Sequence, residues 1–300
     1  MNNTSLKIAL IGNPNTGKTS LFNQLTGLNQ QVGNYPGITV ERKVGFCSLP
    51  QNRKATILDL PGTYSLNANS LDENLVIELL LNKNDKDYPD VAVVVTEVEN
   101  LKRNLLLFTQ IKDLEIPTIL VINMADQMML KGISLDIPKL EAALKTRIAL
   151  ISSRKATGIE ELKDLIVNYE MLSTEPCLNA SEIDSDYFNN LRRIYPNQQL
   201  YKLWLVISQD VNFGELSKNV IQNNSFSKSE EELKKLQHKE TVKRYQYINE
   251  TLKEGKKVDL TKATDLRCKL DKILTHKIGG YIIFFAVLFL IFQSVFEFAF

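Results

Sequence analysis

The chain has 300 residues, 44% of them hydrophobic, which is enough for two domains with a core in each. Its 36 Lys and Arg against 35 Asp and Glu leave a formal net charge of +1, so no global field draws it toward nucleic acid. Cys47, Cys177 and Cys268 lie far apart with no C-x-x-C, and His238 and His276 form no ligand pair with them; this pattern excludes a zinc site and reads as free thiols in a reducing compartment.

The amino terminus runs straight into a strand-like segment at residues 6–11, with no signal-peptide pattern before it. Gly12-Asn13-Pro14-Asn15-Thr16-Gly17-Lys18-Thr19 follows and matches the phosphate-loop pattern G-x-x-x-x-G-K-[ST] without a gap. Residues 19–25, with Ser20 in the first turn, read as a helix, so backbone N–H groups and a helix amino terminus converge on one anion. Residues 29–39 are polar, contain Pro36-Gly37 and read as a loop ending at Thr39. Residues 40–49 and 54–60 form an expected hairpin across Pro50-Gln51-Asn52-Arg53, leading to Asp59-Leu60-Pro61-Gly62.

A helix is expected over 70–81, a buried strand over 91–95, a helix over 101–114 and a strand over 116–122. That strand ends in Asn123-Met124-Ala125-Asp126. A helix at 138–144, a strand at 148–151 followed by Ser152-Ser153-Arg154, and a helix at 159–169 complete an alternation. Strands alternating with helices imply an α/β fold with a mostly parallel sheet, here a P-loop domain over residues 1–170. Three loops with chemistry then fall at carboxyl ends of parallel strands, where such sheets bind ligands.

From 171 the character changes. Residues 171–185 read as a linker, and the remainder to 275 as an all-helical domain, including a long charged helix at 230–254 and another at 260–274. Trp204 reads as a core anchor of that domain rather than a ligand-stacking group. Residues 276–300 are almost wholly apolar on all faces and read as the start of a transmembrane helix, for which about 20 residues are needed. Lys256, Lys257, Lys262, Arg267, Lys269, Lys272 and Lys277 precede it and place residues 1–275 on the cytoplasmic side.

The chemistry of the loops selects a nucleotide. Lys18 would reach the β- and γ-phosphates and the Thr19 hydroxyl would hold Mg²⁺. Asp59 would hold the same ion through water, Thr39 would complete its shell, and the Gly62 N–H would touch the γ-phosphate. A carboxylate at Asp126 accepts two hydrogen bonds from guanine, whereas adenine offers no matching pair of donors. Asn123 would brace the loops, and Ser152, Ser153 and Arg154 would present a backbone N–H to the guanine oxygen.

Gly12 to Thr19 with Ser20-Leu21-Phe22-Asn23, then Val32-Gly33-Asn34-Tyr35-Pro36-Gly37-Ile38-Thr39-Val40-Glu41, closely resemble the amino-terminal GTPase of the ferrous iron transport protein B family. Asp59-Leu60-Pro61-Gly62-Thr63-Tyr64-Ser65-Leu66, Asn100-Leu101-Lys102-Arg103-Asn104-Leu105 and Leu270-Asp271-Lys272-Ile273-Leu274-Thr275-His276 look like the same family. The resemblance implies a GTPase domain that binds GTP and GDP, a helical domain over 171–275 that strengthens GDP binding, and a multi-pass permease for Fe²⁺ in the inner membrane. Small accessory iron-transport proteins and a homo-oligomer are candidate partners, the oligomeric state being left open, and no nucleic acid is expected. By the same resemblance Asn15 helps bind a K⁺ ion, and catalysis falls to Asn15, Lys18, Thr39 and Gly62. Thr63 stands where Ras-like enzymes carry a water-orienting glutamine, so slow hydrolysis is expected. Glu97 stands where the family more often has aspartate, and its role is open.

Two other classes fit parts of the pattern. One is a soluble GTPase on ribosomal or transfer RNA, against which stand the missing G-x-x-G clamp, aromatic RNA motif and basic domain. The other is a membrane-tethered regulatory GTPase that transports nothing.

Overall fold

Short, continuous runs of β-branched and aliphatic residues make the strands, because a fully buried strand needs apolar side chains on both faces. In this computed structural model, which describes residues 5–28, 30–34, 41–67, 71–209, 216–224, 228–259, 261 and 274–298, the strands are β1 (Leu6–Gly12), β2 (Gln30–Asn34), β3 (Glu41–Ser48), β4 (Lys54–Asp59), β5 (Val91–Glu97), β6 (Thr118–Asn123), β7 (Ile133–Leu135), β8 (Arg147–Leu150) and β9 (Lys256–Val258). Seven of them form one sheet in the order β2-β3-β4-β1-β5-β6-β8. The pairs β4-β1, β1-β5, β5-β6 and β6-β8 are parallel, as the alternating pattern predicts. The chain builds outward from β1 in both directions, and the loops after β1, β4, β6 and β8 open at their carboxyl ends.

The hairpin expected at 40–60 is present: β3 runs antiparallel to β4, with Val44 opposite Leu58 and Ser48 opposite Lys54. The expected loop at 29–39 is in part a strand. Gln30–Asn34 pairs with β3 although all five residues are exposed, so backbone hydrogen bonds alone hold this edge and no apolar alternation marks it.

The helices are α1 (Lys18–Thr26), α2 (Leu71–Leu81), α3 (Leu101–Lys112), α4 (Gln127–Lys131), α5 (Ile137–Leu144), α6 (Ile159–Val167), α7 (Ser185–Ile194), α8 (Leu200–Gln209), α9 (Lys218–Asn224), α10 (Glu230–Gly255) and α11 (Gly279–Phe298). The helix expected at 260–274 falls almost entirely outside the described residues. The chain divides into two compact units, Met1–Ala125 with Asp136–Gly255, and Asp126–Leu135 with Lys256–Phe300. The first holds the sheet and the helices α7 to α10. The second holds α4, a two-stranded ladder of β7 and β9, and α11. A strand in the helical part of the sequence was not expected; β9 is three residues long and too short to show a period.

In the first unit, a buried polar cluster joins α10 to α3 and α8. Arg244 Nη1 lies 2.8 Å from Asp113 Oδ2, and its Nε donates to Glu240 Oε1 at 2.7 Å. Glu240 also accepts from Tyr201 Oη at 3.1 Å and from Trp204 Nε1 at 2.7 Å. Asp113 Oδ1 accepts the N–H groups of Cys177 and Leu178 at 2.7 and 3.2 Å, fastening the linker. Trp204 is fully buried with Phe188 packed edge-on at 5.6 Å, which makes it the core anchor its spacing predicted.

Among the described residues no helix is long and apolar enough to cross a membrane. Where the start of a transmembrane helix was expected, α11 is an apolar helix with Phe284, Phe289 and Val295 all exposed.

Arg244→Met strips the positive charge from between two buried carboxylates, so it should cost about 3–5 kcal/mol in urea unfolding. A loss below about 1 kcal/mol would show that the cluster is not a structural tie.

Candidate nucleotide site

The phosphate loop begins where β1 ends. Gly12 lies so close to β5 that an added Cβ would sit 2.5 Å from the Val95 oxygen. Gly17 is required twice over: its φ is +82°, and a Cβ there would meet Asn123 Nδ2 at 2.3 Å. Asn15 also takes positive φ, +67°, which asparagine tolerates better than other residues with a Cβ. Within the loop, Thr16 Oγ1 donates to the Asn13 oxygen at 2.9 Å. Helix α1 then starts at Lys18 with no side-chain cap, so the N–H groups of its first turn face outward for an anion. Pro14, Asn15, Thr19 and Ser20 are exposed around that mouth.

Lys18 and Asp59 meet across the loop. The Lys18 ammonium donates to Asp59 Oδ1, and the two side chains are 11% and 6% exposed. The register of β1 against β4 puts Asp59 level with Leu10. Beyond it the Leu60 N–H bonds the Leu10 oxygen at 3.1 Å and the Thr63 N–H bonds the Gly12 oxygen at 3.2 Å. Gly62 therefore lies against the phosphate loop, where an added Cβ would be 3.2 Å from Pro14 Cγ. The Thr63 hydroxyl is 2.8 Å from the Ser65 oxygen and 3.0 Å from Glu73 Oε1, so it is turned into the protein.

Asn123 ties two loops together. Its Nδ2 donates to the Thr16 oxygen at 2.9 Å, and its Oδ1 accepts from the Ser153 N–H at 3.0 Å. Ser153 Oγ lies 2.9 Å from Nδ2. This is the brace expected from sequence. The serines, however, are more committed than expected. Ser152 exchanges backbone hydrogen bonds with Thr157 at 3.1 and 3.2 Å, and the Ser153 N–H is taken by Asn123. Of the three, Arg154 is the exposed one.

Asp126 opens the second unit as the residue before α4, and its Oδ2 accepts from Gln127 Nε2 at 3.3 Å. The preceding Ala125 N–H bonds the Ile151 oxygen at 2.9 Å, which fixes the loop after β6 to the end of β8. Gly37 and Thr39 lie outside the described residues.

Two features had no signal in the motif. Asn13 is buried, and neither its Nδ2 nor its Oδ1 has a partner. Glu97, whose role was open, accepts from Asn100 Nδ2 while its N–H bonds Asn104 Oδ1 at 3.0 Å. It thereby pins the start of α3 to the end of β5.

A family model described as ferrous iron transport protein B matches residues 6–166. The chain belongs to the ferrous iron transport protein B family. A Leptospira biflexa member, an Fe(2+) transporter, is 34% identical over 307 residues, covering 97% of this chain and 44% of the relative. A Porphyromonas gingivalis member, a fusion of Fe(2+) transport protein A with the transporter, is 31% identical, covering 97% of this chain and 37% of the relative. The chain thus spans less than half the length of these relatives. Among solved structures, the apo cytosolic domain of the T. maritima family member is similar, with a TM-score of 0.75, 30% identity, and coverage of 85% of this chain and 100% of that one. The T. maritima domain also exists in GDP and GMPPNP forms. The L. pneumophila cytosolic domain is 33% identical with a TM-score of 0.69, covering 83% of this chain and 99% of that one.

Asn123→Ala leaves the Thr16 carbonyl and the Ser153 N–H without their partner. Urea unfolding of the chain without nucleotide should show a loss of about 1–3 kcal/mol. A change within 0.5 kcal/mol, about the size of an ordinary surface substitution, would show that the brace carries no load.

Proposed function

We propose that this chain binds GTP and GDP and slowly hydrolyses GTP, and that it regulates the movement of Fe²⁺ through a membrane protein of which it is the cytoplasmic part. The observation that carries the nucleotide reading is the convergence of Lys18, Asp59 and the uncapped start of α1 at the carboxyl ends of β1 and β4. Gly12 to Ser20 surround the phosphates, and Gly17 lets the backbone approach them. Asp126, three residues on from Asn123, accepts hydrogen bonds from the guanine edge. Arg154 adds an exposed backbone donor, and Ser152 and Ser153 hold that turn in place.

Thr19 and Asp59 are the residues that would hold Mg²⁺, with Thr39 as the third by sequence. The exposed Thr19 hydroxyl and the Asp59 carboxylate are hard oxygen donors of the kind this ion takes. When bound, the ion neutralises charge on the β- and γ-phosphates. Asn15 offers an exposed amide oxygen suited to K⁺, which would supply positive charge where other GTPases use an arginine. The Thr63 side chain is turned away from solvent toward Ser65 and Glu73, so backbone groups around Gly62 must position the water, and turnover is slow. Residues 171–275 support GDP retention through α8 and α10. Iron transport rests on the family membership and on the relatives described as Fe(2+) transporters. That membership sets aside the reading as an RNA-associated regulator.

The test exchanges the hydrogen-bond code at the base. Guanine presents two donors to a carboxylate, whereas xanthine presents one donor and one acceptor, which suit an amide. Wild type should prefer GDP over XDP, and Asp126→Asn should reverse the preference, each by about 100-fold or more. Equal binding of both nucleotides to both proteins would refute the assignment. With GTP as substrate, replacing K⁺ by Na⁺ should slow wild-type turnover; an unchanged rate would refute the role of Asn15.

A further inference from the structure

The side chain of Asn13 is buried and idle. It is 2% exposed, and neither its Nδ2 nor its Oδ1 has a hydrogen-bond partner. Among the described residues it alone leaves both a buried donor and a buried acceptor unmatched. An amide that serves only the resting fold is hydrogen-bonded, because an unmade bond in the interior costs the full desolvation of the group. A side chain that pays this cost at a ligand site has its use in another state of that site.

The phosphate loop cannot turn to satisfy it. The Asn13 oxygen accepts from Thr16 Oγ1 at 2.9 Å and from the Thr16 N–H at 3.4 Å. The Thr16 oxygen in turn accepts from Asn123 Nδ2 at 2.9 Å. On the other side, Gly12 is already pressed against β5, where an added Cβ would be 2.5 Å from the Val95 oxygen. With its backbone held at both ends, Asn13 stays where it is, and a partner has to come to it.

The neighbouring element is the turn after β4. The Gly12 oxygen accepts the Thr63 N–H at 3.2 Å, and a Cβ on Gly62 would lie 3.2 Å from Pro14 Cγ. The residues on either side of Asn13 thus both touch this turn. Its other tie is the Leu60 N–H to the Leu10 oxygen at 3.1 Å. A contact between the Gly62 N–H and a γ-phosphate draws the middle of the turn toward the ligand, and the Thr63 bond is the nearer of the two ties to give way. A peptide group released in this way needs a new acceptor and a new donor. A side-chain amide offers one of each.

We propose that Asn13 is a positioning residue for GTP hydrolysis: its side-chain amide receives the backbone of the 60–63 turn, the Thr63 N–H first, when Gly62 moves onto the γ-phosphate. This rests on the reading of the site as one for GTP. The unmatched amide then favours the triphosphate form over the diphosphate form, because only the former brings it partners.

The experiment compares the whole 300-residue chain in detergent, wild type against Asn13→Ala and Asn13→Ser, with Mg²⁺ present. Without nucleotide, the alanine chain should unfold at the same or a higher urea concentration, since two orphaned polar atoms are removed. Its affinity for GMPPNP relative to GDP should fall about tenfold, the worth of about one hydrogen bond, and single-turnover hydrolysis of GTP should slow by a similar factor. Asn13→Ser keeps a donor and an acceptor on a shorter side chain and should recover part of both losses. In the GMPPNP complex the Thr63 amide should stay protected from hydrogen exchange in wild type and lose protection in Asn13→Ala. An alanine chain that fails to fold, or unfolds at lower urea, would place the amide in the resting structure and overturn the proposal, as would an unaltered ratio of GMPPNP to GDP affinity. Failure of wild type to bind either nucleotide would overturn the reading of the site itself, and this proposal with it.

Discussion

The ion pair between Lys18 and Asp59 is the interaction on which the site turns. Both side chains are largely buried, and both are charged residue types that seldom go inside without a partner. Separating such a pair without replacement costs several kcal/mol. In the proposed nucleotide complex, phosphate oxygens would replace Asp59 as the partner of Lys18, and Asp59 would be free to help hold Mg²⁺. In this structure the aspartate stands in for phosphate. Whatever the neighbouring elements do, they must keep these two groups within reach of one another and of the ligand.

The sheet does this through register. Parallel pairing brings Asp59 level with Leu10, two residues before the phosphate loop, and the Thr63 and Leu60 N–H groups lock the following turn onto β1. Asn123 then fastens the loop to the far side of the sheet through Thr16 and Ser153. Gly17 is the consequence of that brace: its backbone lies where a side chain would collide with the asparagine amide. Further out, Arg244, Glu240 and Asp113 bind the long helix to the end of α3. Because Glu97 and Asn104 fix the other end of α3 to β5, the helical region is tied to the sheet that carries the loops.

Much of this was legible in the residues. Continuous apolar strands declare themselves, and a phosphate loop carries its chemistry in a contiguous string. The Pro50-Gln51-Asn52-Arg53 turn marked its hairpin. What stayed hidden shares one physical trait, namely dependence on partners far away in sequence. Strand β2 is polar and exposed, so only its hydrogen bonds to β3 define it. Strands β7 and β9 are three residues each and exist only as a pair. Glu240 and Arg244 sit on a helix dense in both charges, where nothing in the pattern singles them out, yet these two are buried against Trp204 and Asp113. Ser152 and Ser153 looked like donors to a base, but local turn bonds and Asn123 use their N–H groups. The apolar run after residue 276 is helical, as its composition implied.

The measurement that bears most directly on the exchange of Asp59 for phosphate is the affinity of GDP for wild type and Asp59→Asn in EDTA, with no Mg²⁺ present. Without the ion, Asp59 has no favourable role in the complex and only competes for Lys18. The substituted chain should therefore bind GDP more tightly, by about tenfold or more, equivalent to roughly 1.4 kcal/mol. Equal or weaker binding by a folded Asp59→Asn chain would contradict the account, because it would mean that Lys18 does not leave Asp59 for the phosphates.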